Sequence, residues 1–264
     1  MRISLIQMKV LKTPKENLEK IGSLVAKAKS QNADIAVLPE MCFCAYENAA
    51  FVKYAMNEKS EIIKGLSDIA KKNKLYLTAG SIPEADGEKI YNTSYVFDTF
   101  GNIIAKHRKI HLFDVDIKNG QYFKESDTFS AGNKVTVFET EWGKIGVMIC
   151  YDIRFPELAL RMANDVKAII VPASFNYTTG PEHWELLFRA RAVDNQVYMI
   201  GCASATDDTQ SYHSWGHSII TDPWGRVVKQ LGTEEELYTA DIDLEYCGTI
   251  RKQLPLLQHR RCDY

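Results

Sequence analysis

The sequence predicts a layered α/β domain, and three observations carry that expectation. Short β-branched or aromatic runs alternate with stretches of helical spacing along the whole chain. Two turn signals, Asp98-Thr99-Phe100-Gly101-Asn102 and Asp222-Pro223-Trp224-Gly225-Arg226, each join two such runs as a hairpin. No repeat, low-complexity tract or Pro/Ser-rich linker divides the 264 residues, so one domain over 1–264 is expected, its sheets covered by helices.

Ile3–Gln7 opens as a strand. Pro14, a good first-turn residue, precedes a helix over Lys15–Ala28, where Leu18, Ile21, Leu24, Val25 and Ala28 recur at helical spacing. Strands at Ile35–Leu38 and Leu75–Ala79 flank a helix at Glu61–Lys72, and strands at Tyr95–Phe97 and Ile103–Lys106 flank the first hairpin turn. From Leu112 to Gly132 apolar periodicity lapses and charges accumulate; a loop that long is usually functional, such as a lid. Thr136–Phe138 and Ile145–Ile149 read as strands, Glu157–Ala163 as a helix, Ala168–Val171 as a strand, Trp184–Asn195 as a helix and Tyr198–Cys202 as a strand. Ser218–Thr221 and Val227–Gln230 flank the second hairpin turn, and Leu237–Asp241 is the last strand.

A hydrophobic content of 45% supports a substantial core, and the net charge of −2 gives no reason to expect nucleic acid or an anionic membrane as partner. Lys106-His107-Arg108-Lys109 is too short to track phosphates, and no window reaches the length of a membrane span. Met1-Arg2-Ile3-Ser4-Leu5-Ile6 starts a strand without a charged leader and apolar stretch, so a soluble cytoplasmic protein with reduced thiols is expected. Cys42 and Cys44 lack zinc-site spacing and read as thiols lying behind the site; no glycine-rich phosphate loop is present, so neither metal nor nucleotide cofactor is expected. Arg191 and Asp194, with Arg189 nearby, read as an ion-paired helix face.

The chemistry concentrates at strand ends. Ile35-Ala36-Val37-Leu38-Pro39 ends at Glu40, the strand beginning at Ile103 leads to Lys109, and the apolar run through Ile149 delivers Cys150 to an elbow, after which Tyr151 to Glu157 opens a helix. A thiol, a carboxylate and an ammonium in one dry cleft form an acyl-transfer set of nucleophile, proton acceptor and oxyanion support. Each has an ordinary alternative: a small core hydrophobe for Cys150, a capping acid for Glu40, a solvated cation for Lys109.

Three stretches resemble the catalytic motifs of the nitrilase, or carbon–nitrogen hydrolase, superfamily. They are Leu38-Pro39-Glu40-Met41, Lys106-His107-Arg108-Lys109-Ile110-His111-Leu112-Phe113, and Gly146 through Glu157 around Cys150. The resemblance implies a four-layer α-β-β-α sandwich, commonly dimerised through its helical layer. It implies Glu40 as general base, Lys109 as oxyanion stabiliser and Cys150 as nucleophile. Glu125 would orient the lysine or assist with substrate; a lid salt bridge is its alternative. Phe175 to Tyr198, Trp215-Gly216-His217-Ser218 and Asp222-Pro223-Trp224-Gly225 are similar to the ω-amidase branch. The branch pattern after the glutamate is replaced by Met41-Cys42-Phe43-Cys44-Ala45-Tyr46, which keeps only the tyrosine.

This resemblance implies hydrolysis of the terminal amide of a small dicarboxylic acid monoamide, 2-oxoglutaramate or 2-oxosuccinamate, through a thioester. The backbone N–H of Tyr151 would assist at the oxyanion. Such a substrate carries a carboxylate, for which Arg154 is the candidate partner; an ion pair with Glu157 or Asp152 is its alternative. Tyr46, Phe175 and Thr179 are expected to shape the pocket, and a homodimer whose tail at Arg260-Arg261-Cys262-Asp263-Tyr264 reaches across the interface is the expected assembly. Two rival readings stand beside this one: another amidase acting on carbamoyl or aliphatic amides, and a catalytically silent interaction protein.

Overall fold

The computed structural model describes residues 1–118, 121–261 and 263. In chain order the first half comprises β1 (Arg2–Gln7), α1 (Pro14–Ser30), β2 (Ile35–Val37), α2 (Asn48–Lys53), α3 (Glu61–Asn73), β3 (Tyr76–Thr78), β4 (Ile82–Asp86), β5 (Lys89–Phe97), β6 (Ile103–Arg108), β7 (Asp114–Asp116) and β8 (Tyr122–Lys124). The second half comprises β9 (Thr136–Thr140), β10 (Gly143–Val147), α4 (Pro156–Met162), β11 (Ala168–Ala173), α5 (Gly180–Asn195), β12 (Tyr198–Ala203), β13 (Ile219–Thr221), β14 (Val227–Gln230), β15 (Glu236–Asp241), α6 (Glu245–Gln253) and α7 (Leu256–His259).

Two sheets dominate. One runs β15-β1-β2-β3-β5-β4 with β6 also on β5; the other runs β14-β13-β12-β11-β10-β9. Strands β1, β2 and β3 are parallel, as are β10, β11 and β12, and antiparallel neighbours border each parallel set. Their side chains alternate between two cores, as the two-residue period of a strand requires. Ile3, Leu5, Ile35 and Val37 meet Ile145, Val147, Ile170 and Ile200 between the sheets. The intervening Ile6, Ala36 and Leu38 pack outward under Ile21, Val25, Leu66 and Ala70 of α1 and α3. On the other side Ile169 and Val171 lie under Leu158, Met162, Trp184 and Phe188 of α4 and α5. Burial on both faces explains why these strands read as unbroken apolar runs. The result is the four-layer helix–sheet–sheet–helix sandwich.

The expected start of α1 is confirmed in detail. Thr13 Oγ1 accepts from the Glu16 N–H at 3.3 Å, Glu16 Oε2 accepts from the Thr13 N–H at 2.9 Å, and Pro14 occupies the first turn. Both expected hairpins pair as antiparallel strands, β5–β6 and β13–β14.

Two expectations need correction, and one strand was not foreseen. The stretch 112–132 is not featureless, because β7 and β8 pair within it and Glu125–Asp127 forms a 3-10 turn; positions 119 and 120 lie outside the described residues. Strand β4 went unrecognised because Pro83 and two acids mask its pattern, and it is tolerated as an edge strand. Cys150 does not lead straight into a helix: a 3-10 turn, Cys150–Arg154, intervenes before α4. The proposed tail crossing includes positions 262 and 264, which also lie outside the described residues. Among the described residues no helix is long and apolar enough to cross a membrane.

Candidate active site

Both sheets contribute. Glu40 follows β2 and Lys109 follows β6 in one sheet, while Cys150 follows β10 in the other. Exposure falls to 1% for Glu40, 0% for Lys109 and 5% for Cys150, so none is a surface residue. Strand alternation explains how a lysine in a basic cluster becomes buried. Lys106 and Arg108 turn toward Glu84, which accepts from them at 2.8–3.0 Å, while His107 and Lys109 turn inward and are fully enclosed.

Lys109 Nζ donates to Glu40 Oε1 at 2.9 Å and lies 3.1 Å from Oε1 and 2.8 Å from Oε2 of Glu125. Glu125 is fully buried and tied to the β7–β8 segment: its Oε2 accepts from the Phe113 N–H at 2.6 Å. Its predicted place beside the lysine is therefore occupied. Asn92 of β5, absent from the sequence-based candidates, bridges the two acids through Nδ2, 2.9 Å from Glu40 Oε1 and 3.0 Å from Glu125 Oε1. An asparagine inside a strand, where that residue is depleted, was the available signal. Glu40 Oε2 has no hydrogen-bond partner among the described residues.

Burial is the main electrostatic force here. It raises the Glu40 carboxyl above its ordinary range, opposed by the Lys109 charge and reinforced by Glu125. It holds the Cys150 thiol well above its usual value, with Glu40 adding to the effect and Lys109 and the Ser174 backbone opposing it. For Lys109, burial favours the neutral amine, but Glu125 and Glu40 outweigh it and the ammonium is stabilised. The site thus rests with a cation and a protonated thiol beside a carboxyl group of raised affinity for protons.

Cys150 adopts φ +43°, a left-handed conformation that L-residues with a side chain avoid. Asp152, two residues on, fixes that elbow. Its Oδ2 accepts from the Ile149 N–H at 3.1 Å and faces His107 Nε2 at 3.1 Å. Its Oδ1 accepts from the N–H groups of Ile110 at 3.2 Å and His111 at 2.9 Å and faces His111 Nδ1 at 2.8 Å. Desolvation would raise this carboxyl, but these donors hold it far below the usual carboxylate range. One anion therefore ties the segment after Lys109 to the turn that carries Cys150.

Of the predicted substrate contacts, Tyr151, Arg154, Phe175 and Thr179 line a cavity of about 10 Å³ with Cys150, joined by Phe113, Ser174 and Tyr212. Tyr46 is placed differently: its hydroxyl donates to Glu40 Oε1 at 3.4 Å, and it lines a separate space of about 20 Å³ behind that carboxylate. Arg154 makes no ion pair among the described residues, so neither Glu157 nor Asp152 claims it. Its guanidinium carbon lies 4.9 Å from the Phe175 ring centre and 5.6 Å from that of Tyr151. Arg191 pairs with Asp194 at 3.4 Å as expected; it is also buried, and it donates to the carbonyls of Ile153 at 3.0 Å and Arg154 at 3.2 Å, bracing the turn from α5. Cys42 and Cys44 are buried free thiols, and burial pushes Cys44 up to about 12. Among the described residues no group of three or more His, Cys, Asp or Glu is arranged to hold a metal ion.

Known proteins resemble this chain over nearly its whole length. Residues 2–252 match the carbon–nitrogen hydrolase family. Omega-amidase NIT2 of Danio rerio is 46% identical over 263 residues, covering 99% of this chain and 95% of that protein. Omega-amidase NIT2 of Homo sapiens is 43% identical with the same coverage. The crystal structure of Saccharomyces cerevisiae Nit3, a member of branch 10 of the nitrilase superfamily, superposes with a TM-score of 0.91 at 41% identity, covering 99% of this chain and 96% of that one.

Proposed function

The chain belongs to the carbon–nitrogen hydrolase family and is an amidohydrolase, and from that premise we propose that it cleaves the terminal amide of a small dicarboxylic acid monoamide. The observation that carries this reading is Arg154, a partly buried cation without an acid partner among the described residues, on the same cavity as Cys150. A carboxylate on the substrate would supply what the protein withholds, and a guanidinium binds it bidentately. 2-Oxoglutaramate and 2-oxosuccinamate are the substrates of this class that fit the ω-amidase resemblance.

In this mechanism Glu40 accepts the Cys150 proton as the thiolate attacks the amide carbon. Lys109 and the Tyr151 N–H stabilise the oxyanion, each such donor being worth about 3–4 kcal/mol in comparable sites. The intermediate collapses as Glu40 passes its proton to the departing nitrogen, releasing ammonia and leaving a thioester. Glu40 then takes a proton from water, which attacks the thioester carbon; the acid departs and the thiol is restored. Glu125 and Asn92 hold Glu40 and Lys109 in place throughout. Phe113, Phe175 and Tyr212 form the aromatic wall of the cavity over Cys150.

The test is ammonia release from 2-oxoglutaramate, an N-carbamoyl amino acid and a simple aliphatic amide, by the wild type and Arg154→Ala. We expect the oxo-acid amide to lead by at least tenfold in kcat/KM, and Arg154→Ala to erase that lead by raising KM. Equal rates for all three compounds in the wild type, or preference for the carbamoyl compound, would refute this substrate class.

A further inference from the structure

We propose that His183 is a positioning residue that aims Arg154 at the substrate carboxylate while leaving its charge unneutralised. The inference rests on the reading of Arg154 given above. Arg154 Nη1 lies 3.1 Å from His183 Nδ1, which is the side-chain hydrogen bond Arg154 makes among the described residues. A guanidinium only donates, so this contact is a hydrogen bond in the tautomer that leaves the Nδ1 lone pair free and carries its proton on Nε2. That choice of partner has a consequence. An aspartate or glutamate in the same place would fix the guanidinium equally well, but it would cancel its charge and compete with an incoming carboxylate. A neutral acceptor orients the fork and keeps the cation available.

The local structure holds His183 where this requires. Its backbone N–H donates to Thr179 O at 2.9 Å in the first turn of α5. The corner before α5 is pinned by Asn176 Oδ1, which accepts from the N–H groups of Thr178 and Thr179 at 3.0 Å and from Thr179 Oγ1 at 3.2 Å. One connection therefore delivers Phe175, Thr179 and His183 around Arg154. The phenyl ring lies against the guanidinium, and the imidazole takes one of its N–H groups. Restricting a long side chain before binding lowers the entropy lost when the substrate arrives. The gain belongs to binding of the carboxylate rather than to bond cleavage.

The test compares His183→Ala and His183→Asn with Arg154→Ala, using 2-oxoglutaramate and a neutral aliphatic amide. Losing a hydrogen bond to a charged group predicts a rise of about tenfold in KM for the acid in His183→Ala, with kcat within twofold. His183→Asn, whose side-chain oxygen can accept where Nδ1 does, should keep KM within about threefold of wild type. Neither change should alter KM for the neutral amide. If Arg154→Ala raises KM for the acid but His183→Ala does not, the positioning role falls and the anchor survives. If Arg154→Ala has no effect, both fall. If His183→Ala damages turnover of both substrates alike and asparagine fails to rescue it, the residue is merely structural and the inference is overturned.

Discussion

Replacing Lys109 by methionine is the most demanding probe of the buried charges. Methionine keeps much of the apolar stem and removes the ammonium that stands 2.9 Å from Glu40 and 2.8 Å from Glu125. At that separation, with an effective dielectric constant near 20, each contact is worth about 5–6 kcal/mol of attraction, which the cost of burying the ammonium largely offsets. Removing one partner of such a buried cluster costs about 3–5 kcal/mol, a large fraction of the roughly 5–15 kcal/mol that holds a typical fold together. The loss should depend on pH. Burial raises the Glu40 carboxyl above 4.5 despite the nearby ammonium, so keeping it ionised costs more in the folded than in the unfolded chain. Such a group contributes stability that is complete below the unfolded value and is lost as pH rises through the folded value. Without Lys109 the opposing influence disappears, so the penalty in Lys109→Met grows as pH rises. Urea unfolding followed by tryptophan fluorescence at pH 5 and pH 8 would measure it. Adding Glu125→Gln should recover part of the loss, because one carboxylate then no longer needs the cation. A deficit below about 1 kcal/mol at both pH values, or one that shrinks toward pH 8, would refute the cluster.

Asp152→Asn should lower kcat by about 100-fold with little change in KM, because a misplacement near 1 Å between Lys109 and the Cys150 turn is enough for that loss; steady-state kinetics within threefold of wild type would show that the carboxylate does not set their register. Glu84, whose burial cost is outweighed by bonds from Arg108, Thr93 and Lys106, is held down to about 2. It therefore contributes stability above pH 4.5 that is lost as pH falls toward 2, and Glu84→Gln should flatten the acid end of a stability–pH curve. An unchanged acid slope in that variant would count against the network.

Legibility in the sequence followed burial. Strands β2, β10, β11 and β12 were readable because both faces are covered, which leaves apolar runs with little to confuse them. The pair β7–β8 was not, since its alternating charged and half-exposed residues resemble a loop. Motif resemblance points to Glu40, Lys109, Cys150 and Glu125; spacing alone puts three of them at strand ends and does not say which strands meet. Asn92 and Asp152 were missed as site residues because their importance lies in what they bridge across long stretches of chain. Arg154 was left between two fates for the same reason. Only the fold shows that Asp152 is already saturated by His107, His111 and three backbone N–H groups.

The distribution of labour between the sheets bears on how substrate choice is set. The residues proposed for proton handling and oxyanion support, Glu40, Asn92 and Lys109, come from one sheet, while the proposed nucleophile and the proposed carboxylate anchor share a single 3-10 turn on the other. Four residue steps separate Cys150 from Arg154 along this turn. Both side chains line one cavity, so on the proposed reading one turn would meet both the reacting carbon and the substrate carboxylate. Neither end is free to move: Asp152 clips the start of the turn, and Arg191 binds the carbonyls at its end. On the proposed reading selectivity and catalysis are therefore tied through one turn, and Asp152 links that turn to the segment after Lys109.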